Sequence, residues 1–254
     1  MMTPKIARFL AEQAPPTPFL VVDLDVIAHN YKRLHKAIPL ASIYYAVKAN
    51  PAPEVLRVLD GLGSNFDTAS IFEVNQCLTL GIAPERLSFG NTIKKEADIA
   101  AAYRGGVRLF AFDSAAEVEK LARVAPGSRV FCRIVMTGEG ADWPLGGKFG
   151  CSVEMAADLL VKARDLGLDP HGVSFHVGSQ QRDLSQWDLA VGKTKMLFTT
   201  LSEKGIELKM INLGGGFPAR YRSRIPALDT YAEAIMGAMT KHFGNNLPQM
   251  IIEP

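Results

Sequence analysis

Short β-rich apolar runs alternate along the chain with longer stretches of helical period. The run 19–25 (FLVVDLD) predicts a strand. Residues 26–38 predict a helix with Ile27, Tyr31, Leu34 and Ile38 on one face. Eight further strand runs follow, at 43–49, 64–68, 86–90, 109–113, 129–135, 172–177, 208–213 and 250–253. Helical segments separate most of them, for example 69–80, 96–103, 115–124 and 155–166. Parallel neighbours need a crossover, so this alternation implies parallel strands. Eight strand–helix units are the count for a closed (β/α)8 TIM barrel. A doubly wound open sheet is the alternative.

Two features sit outside a self-contained barrel. The strand expected at 19–25 has no partner among the eight, and the last strand runs into Glu253-Pro254 with no closing helix after it. The expected division is therefore a helical lead-in over 1–18, a strand over 19–25 belonging to a β-domain that lies beyond this chain, and a barrel over 26–254. The segment 138–150 (GEGADWPLGGKFG), after the fifth strand of the eight, is the longest loop. Long ordered loops at strand C-termini usually carry function, with a plain surface excursion as the alternative.

Composition narrows the function classes. Of 254 residues, 48% are hydrophobic and 21% charged, which supports a sizeable core and argues against disorder. A net charge of +2 is no nucleic-acid signature. The short basic cluster Arg220-Tyr221-Arg222-Ser223-Arg224 reads as a solvated loop, or as an attractor for an anionic cofactor. No apolar run approaches the ~20 residues of a membrane span, and residues 1–13 read as a charged amphipathic helix, not a signal peptide. Cys77, Cys132 and Cys151 form no C-x-x-C pair. They fit a reducing cytosol, so a cytoplasmic protein is expected.

A βα barrel builds its site at the C-terminal ends of its strands. Lys48 ends the run YYAVKAN. A lysine partly desolvated there would lose basicity and become a competent imine-forming nucleophile; a snorkelling surface lysine is the bland alternative. Gly214, Gly215 and Gly216 let backbone N–H groups approach an anion, or simply make a turn. Their spacing is not G-x-G-x-x-G. His176 in SFHVGS is a candidate ring partner or a structural histidine, and Gly178-Ser179 offers a second anion-binding turn. No histidine pair has metal-ligand spacing, so no metal is expected.

Jointly these segments are specific. YAVKAN, FDTAS followed by a glutamate, FGN-x-x-K, KFG, FHVGSQ, GGGFP and a final EP occur in this order. Over residues 16–254 the set resembles the alanine-racemase-like, fold-type III pyridoxal-phosphate (PLP) decarboxylases, the ornithine/diaminopimelate/arginine decarboxylase group. The resemblance implies PLP bonded to Lys48 and His176 stacked on its ring. It implies Gly178, Ser179, Gly214, Gly215 and Gly216 at the phosphate and Glu253 at the pyridine nitrogen. Asp67 and Glu73 would form an acidic pair near the lysine and ring, and Arg133 would orient the histidine. Chemistry agrees: decarboxylation leaves a carbanion that a protonated pyridine absorbs, and a carboxylate at the ring nitrogen favours that proton.

The family pattern continues past Glu-Pro with Gly-Arg and a C-terminal β-domain, which supplies a Cys-Asp pair across a homodimer and a tyrosine near the phosphate. None is present in this sequence, so a chain ending here is expected to bind cofactor poorly and to turn over inefficiently. The valine of FHVGS and the long loop resemble ornithine and lysine decarboxylases more than diaminopimelate ones. The expected reaction is L-ornithine to putrescine, a step of polyamine biosynthesis, with lysine or diaminopimelate as alternatives. A barrel-only PLP-binding protein and a cofactor-free regulatory homologue are the competing classes. Expected partners are a small-molecule amino acid and, in a longer protein, a second copy, with no nucleic acid and no membrane.

Overall fold

The computed structural model describes residues 2–221 and 224–254. Strands β1 (Ala41–Ala46), β2 (Asn65–Thr68), β3 (Leu87–Phe89), β4 (Leu109–Phe112), β5 (Arg129–Arg133), β7 (Asp169–Ser174), β9 (Met210–Asn212) and β10 (Gln249–Ile252) form one closed parallel barrel. Between them run β6 (Ala141–Trp143) and β8 (Ser179–Gln181), an antiparallel pair outside the barrel. Closure is direct: Ala41, Ser42 and Ile43 of β1 pair with Met250, Ile251 and Ile252 of β10. The open sheet is thereby excluded.

Helices α3 (Pro53–Gly61), α4 (Ile71–Thr79), α5 (Glu96–Arg104), α6 (Ala115–Val124), α7 (Val153–Asp165), α8 (Ser185–Glu203) and α9 (Leu228–Phe243) supply the crossovers. Two helices precede β1, α1 (Pro4–Gln13) and α2 (Leu24–Ala37). Serines 70, 114 and 152 start α4, α6 and α7 by accepting the N–H three residues on.

Among the described residues no helix follows β10, yet the place of a closing helix is filled. Helix α2 packs against both α3 and α9, the neighbours a helix after β10 would have. The helix before β1 fills the slot, burying Leu34 and lodging Ile27 and Tyr31 against the core. The run 19–25, expected to pair with a β-domain outside this chain, has no strand beside it here, and its last two residues are helical. Residues 19–23 belong to no strand, and Leu24 and Asp25 open α2. Asp23 caps that helix, accepting from Asp25 N–H at 3.1 Å. An apolar run without a strand beside it gains no ladder hydrogen bonds, while a capping aspartate is satisfied locally. Phe19, Leu20 and Val22 remain exposed.

Side-chain alternation sorts the core into two. The larger apolar cluster lies between strands and helices, and contains the two phenylalanines Phe110 and Phe112 of β4 and Val130 and Cys132 of β5. The smaller one joins Tyr44, Leu109, Ala111, Phe131, Met210 and Ile251, from five strands. Strands on opposite sides of a barrel touch only through its interior, so these six residues plug the tube. Gly172 belongs to this packing, since a Cβ there would lie 2.3 Å from the Met210 carbonyl oxygen.

Candidate active site at the barrel mouth

Every strand presents its C-terminal end to one face, and the period of two lifts particular residues above the plug. Arg133 stands two residues beyond Phe131, Asn212 two beyond Met210, and Glu253 two beyond Ile251. Lys48, Asp67, His176, Gly214, Gly215 and Gly216 follow or end β1, β2, β7 and β9 at the same face. The sequence-expected site residues, other than Glu73, are thus brought to one mouth.

Their environments differ from expectation in places. The strand expected to reach Lys48 stops at Ala46, and Lys48 sits in a single 3-10 turn, Val47–Ala49. Its side chain is exposed, so the expected desolvation is absent. His176 lies two residues past β7 in a loop. Its Nδ1 accepts from Gly178 N–H at 3.0 Å, which leaves the proton on Nε2. Burial, then the positive charges of Arg133 and Lys48, push its pKa down to about 4. The imidazole is therefore neutral at pH 7.

Asp67 is buried and accepts from the Ser88 hydroxyl at 2.6 Å. Burial first, then the negative charge of Glu253, raise its pKa well above the usual carboxylate range, while Ser88 and Lys48 oppose. Gly90 leaves room for it: a Cβ there would lie 2.0 Å from Asp67 Oδ1 and displace the carboxylate from its present position. Arg133 is lowered by burial, against the carboxylates of Glu253, Asp113 and Asp67. Its guanidinium lies 5.5 Å from the centre of the Phe149 ring.

Glu73 acts elsewhere. Its carboxylate accepts from Ala69 N–H at 2.6 Å while Ser70 caps its own N–H, so it closes the start of α4. Its charge still reaches Asp67.

The glycine turn is a tight joint. A Cβ on Gly214 would lie 2.3 Å from the Phe175 carbonyl oxygen, and one on Gly215 2.3 Å from that of Glu253. Gly216 and Gly178 have φ of +97° and +102°, a region open to glycine. Gln181 N–H donates to Gly216 O at 2.9 Å, which hangs β8, and with it Ser179, on the turn.

Sequence reasoning missed Asn212. It is buried, its Oδ1 accepts from Gly214 N–H at 2.9 Å, and its Nδ2 donates to Glu253 Oε1. Glu253 N–H returns a bond to Gly214 O at 2.8 Å. One amide thereby holds both the glycine turn and the carboxylate. The signal was a lone polar residue inside an apolar strand directly before three glycines. Lys94, of the FGN-x-x-K segment, was also left without a role. It is buried, donating to Asn91 O at 2.8 Å and Ala111 O at 2.6 Å and pairing with buried Glu117 at 3.0 Å. Burial pushes its pKa down to about 8.

The loop 138–150 is more ordered than expected. Its residues 141–143 form β6, paired to β8, and Asp113 accepts Gly150 N–H at 2.8 Å at its base. Arg222 and Ser223 of the basic cluster lie outside the described residues.

Residues 24–254 match the family described as pyridoxal-dependent decarboxylase, pyridoxal binding domain. The chain belongs to that family. A lysine/ornithine decarboxylase of Selenomonas ruminantium is 37% identical over 99% of this chain and 63% of its own length. A chloroplastic ornithine decarboxylase of Nicotiana glutinosa is 35% identical over 92% of this chain and 54% of its own. Among solved structures, SrLDC in complex with PLP and cadaverine superposes with a TM-score of 0.89 at 35% identity, covering all of this chain and 64% of that one. The chain thus spans less than two thirds of the length of these relatives. As a family member it carries the pyridoxal-binding barrel. Among the described residues no group of three or more His, Cys, Asp or Glu is placed to hold a metal, and no helix is long and apolar enough to cross a membrane.

The residues at the mouth suit PLP chemically. An amine, a neutral aromatic ring, a half-buried carboxylate fixed by an amide, and glycines packed too closely for any side chain suit an aldehyde, a flat ring, a basic ring nitrogen and a phosphate.

Proposed function

We propose that this chain is the cofactor-binding barrel of a PLP-dependent decarboxylase of basic amino acids, with L-ornithine giving putrescine as its principal reaction. One observation carries the reading: Lys48, His176, the Gly214–Gly216 turn and Glu253 meet at a single barrel mouth, with Asn212 joining the last two. Bound PLP supplies an electron sink for the pair released when the bond between Cα and the carboxylate breaks.

The protein's own groups do the rest. Lys48 offers the amine that holds the cofactor's aldehyde carbon. The exposed setting of Lys48 leaves it open to exchange with a substrate amine. The Glu253 carboxylate would hold a proton on the ring nitrogen by a charge-assisted hydrogen bond. Asn212 occupies Glu253 Oε1 and leaves Oε2 for that contact. His176 would cover one ring face; because it is neutral, it would set no cation against a protonated ring. Gly178, Ser179, Gly214, Gly215 and Gly216 would form the phosphate cradle, with the Gly215 and Gly216 N–H groups and the Ser179 hydroxyl as donors, since the N–H groups of Gly178 and Gly214 are held by His176 and Asn212. Burial, helped by the charge of Arg133, keeps His176 neutral, and Asp67, with Glu73 near it, supplies acidic groups beside Lys48.

The FHVGS segment supports ornithine or lysine over diaminopimelate, and relatives such as the Nicotiana enzyme favour ornithine. Lysine is the second reading, favoured by the Selenomonas relative. The working protein is read as a cytoplasmic homodimer carrying further C-terminal residues. The test is decarboxylation by the full-length protein with PLP, scored by released CO2 and by the diamine formed. The expected result is putrescine from ornithine, with kcat/KM above that for lysine by about tenfold or more, the worth of one methylene. Equal rates, or a lysine preference, would replace the substrate. A PLP-loaded protein releasing no CO2 from any basic amino acid would overturn the decarboxylase reading.

A further inference from the structure

Cys132 and Cys151 are a pair that the proposed chemistry leaves unused. Cys132 lies on the outward face of β5, between inward-facing Phe131 and Arg133, and is wholly buried. Cys151 closes the 138–150 loop, directly before Ser152, the cap of α7. A parallel bridge joins Ile134 and Cys151: Cys151 N–H donates to Arg133 O at 3.0 Å, and Val135 N–H donates to Cys151 O at 2.9 Å. These bonds pin the two backbones side by side and bring the sulfurs to 3.5 Å. A disulfide needs about 2.05 Å. Small rotations of the two side chains, at the base of a loop, span the difference.

The two sulfurs are also unequal. The hydrogen bond with Cys132 favours the thiolate of Cys151, whereas burial disfavours that of Cys132. All three cysteines are buried, Cys151 the least completely at 7% exposure. Cys77 on α4 has no sulfur partner among the described residues, and desolvation pushes its thiol up to about 12.

We propose that Cys132 and Cys151 are an oxidative modification site, a dithiol that closes to an intrachain disulfide when the protein meets a hydroperoxide. The Cys151 thiolate attacks the peroxide O–O bond, forming a sulfenic acid and releasing water or an alcohol. The Cys132 sulfur then attacks Cys151 Sγ and expels hydroxide, which leaves as water with the Cys132 proton. Two thiols are oxidised and one peroxide is reduced. The new bond would lie one residue from Arg133 and two from Phe149, the ring beside that guanidinium. The proposal stands independently of the decarboxylase reading.

The test treats the reduced full chain with stoichiometric hydrogen peroxide, then unfolds it in an alkylating agent for intact mass and peptide mapping. The expected product has lost two hydrogens, takes up alkyl only at Cys77, and yields a linked Cys132–Cys151 peptide. Cys151→Ser abolishes the link. Cys132→Ala leaves a Cys151 sulfenic acid that a dimedone-type reagent traps. Three alkylatable thiols after peroxide, a Cys151 sulfinic acid with Cys132 still free, or disulfides only between chains would each overturn the proposal. The unsubstituted chain alone decides between these outcomes, so a variant that fails to fold does not blunt the test.

Discussion

His176 illustrates how one side chain couples site and stability. Its folded pKa, about 4, lies below the ordinary 6.5. The unfolded chain therefore binds this proton first. The contribution of His176 to stability is complete above pH 6.5 and is lost as pH falls from 6.5 toward 4, by about 2–3 kcal/mol. Asp67 works the other way, since its raised pKa favours the folded state on the acid side. Urea titrations from pH 7.5 to 4 should show a smaller loss in His176→Gln than in the unsubstituted chain; equal losses would contradict the assignment. Asn212 is the second test at this scale. Asn212→Ala removes a bond to a carboxylate and should weaken PLP binding about 10- to 100-fold in an absorbance titration. Asn212→Asp, setting a second negative charge against Glu253, should weaken it further. Unchanged affinity in both would remove Asn212 from the site. Most site residues were legible because their chemistry is uncommon at strand ends. Asn212 was not, because a neutral amide in an apolar strand shows its purpose only once the register brings Glu253 beside it. Glu73 was read for its charge, whereas its spacing from Ser70 is that of a helix cap.

At the scale of elements, the buried Lys94–Glu117 pair ties the loop after β3 to β4 and to the first turn of α6. Lys120 shares the same carboxylate at 2.6 Å. Lys94→Met leaves the buried Glu117 carboxylate to Lys120 alone, with Oε1 unpaired, and should cost about 1–3 kcal/mol. Lys94→Met with Glu117→Leu should cost less than the sum of the single variants, because the half-paired buried carboxylate is removed with its partner. Chemical denaturation of both distinguishes the two, and an additive double variant would contradict a coupled pair. Element type was readable from hydrophobic period, and α6 falls on the expected residues, 115–124. The failures have physical causes. The run expected over 19–25 extends two residues too far, because Asp23 caps a helix that starts at Leu24. The short β6 was hidden because its partner, β8, lies beyond an entire strand–helix unit and shows no hairpin turn.

On the scale of the whole molecule, eight strands close a tube, an apolar plug fills it, and the next residue layer is chemical. The strand count made the barrel readable from the sequence, but the closing of the helix ring by α2 was not. That contact joins the start of the chain to α9 near its end, and no local pattern encodes it. The central claim is that this mouth holds PLP through Lys48. The most direct measurement is to add PLP to the protein, trap any imine with borohydride, and map the pyridoxyl group by peptide mass. The account places one pyridoxyl group on the peptide carrying Lys48, absent from Lys48→Ala. A label scattered over surface lysines, or one unchanged in Lys48→Ala, would contradict it.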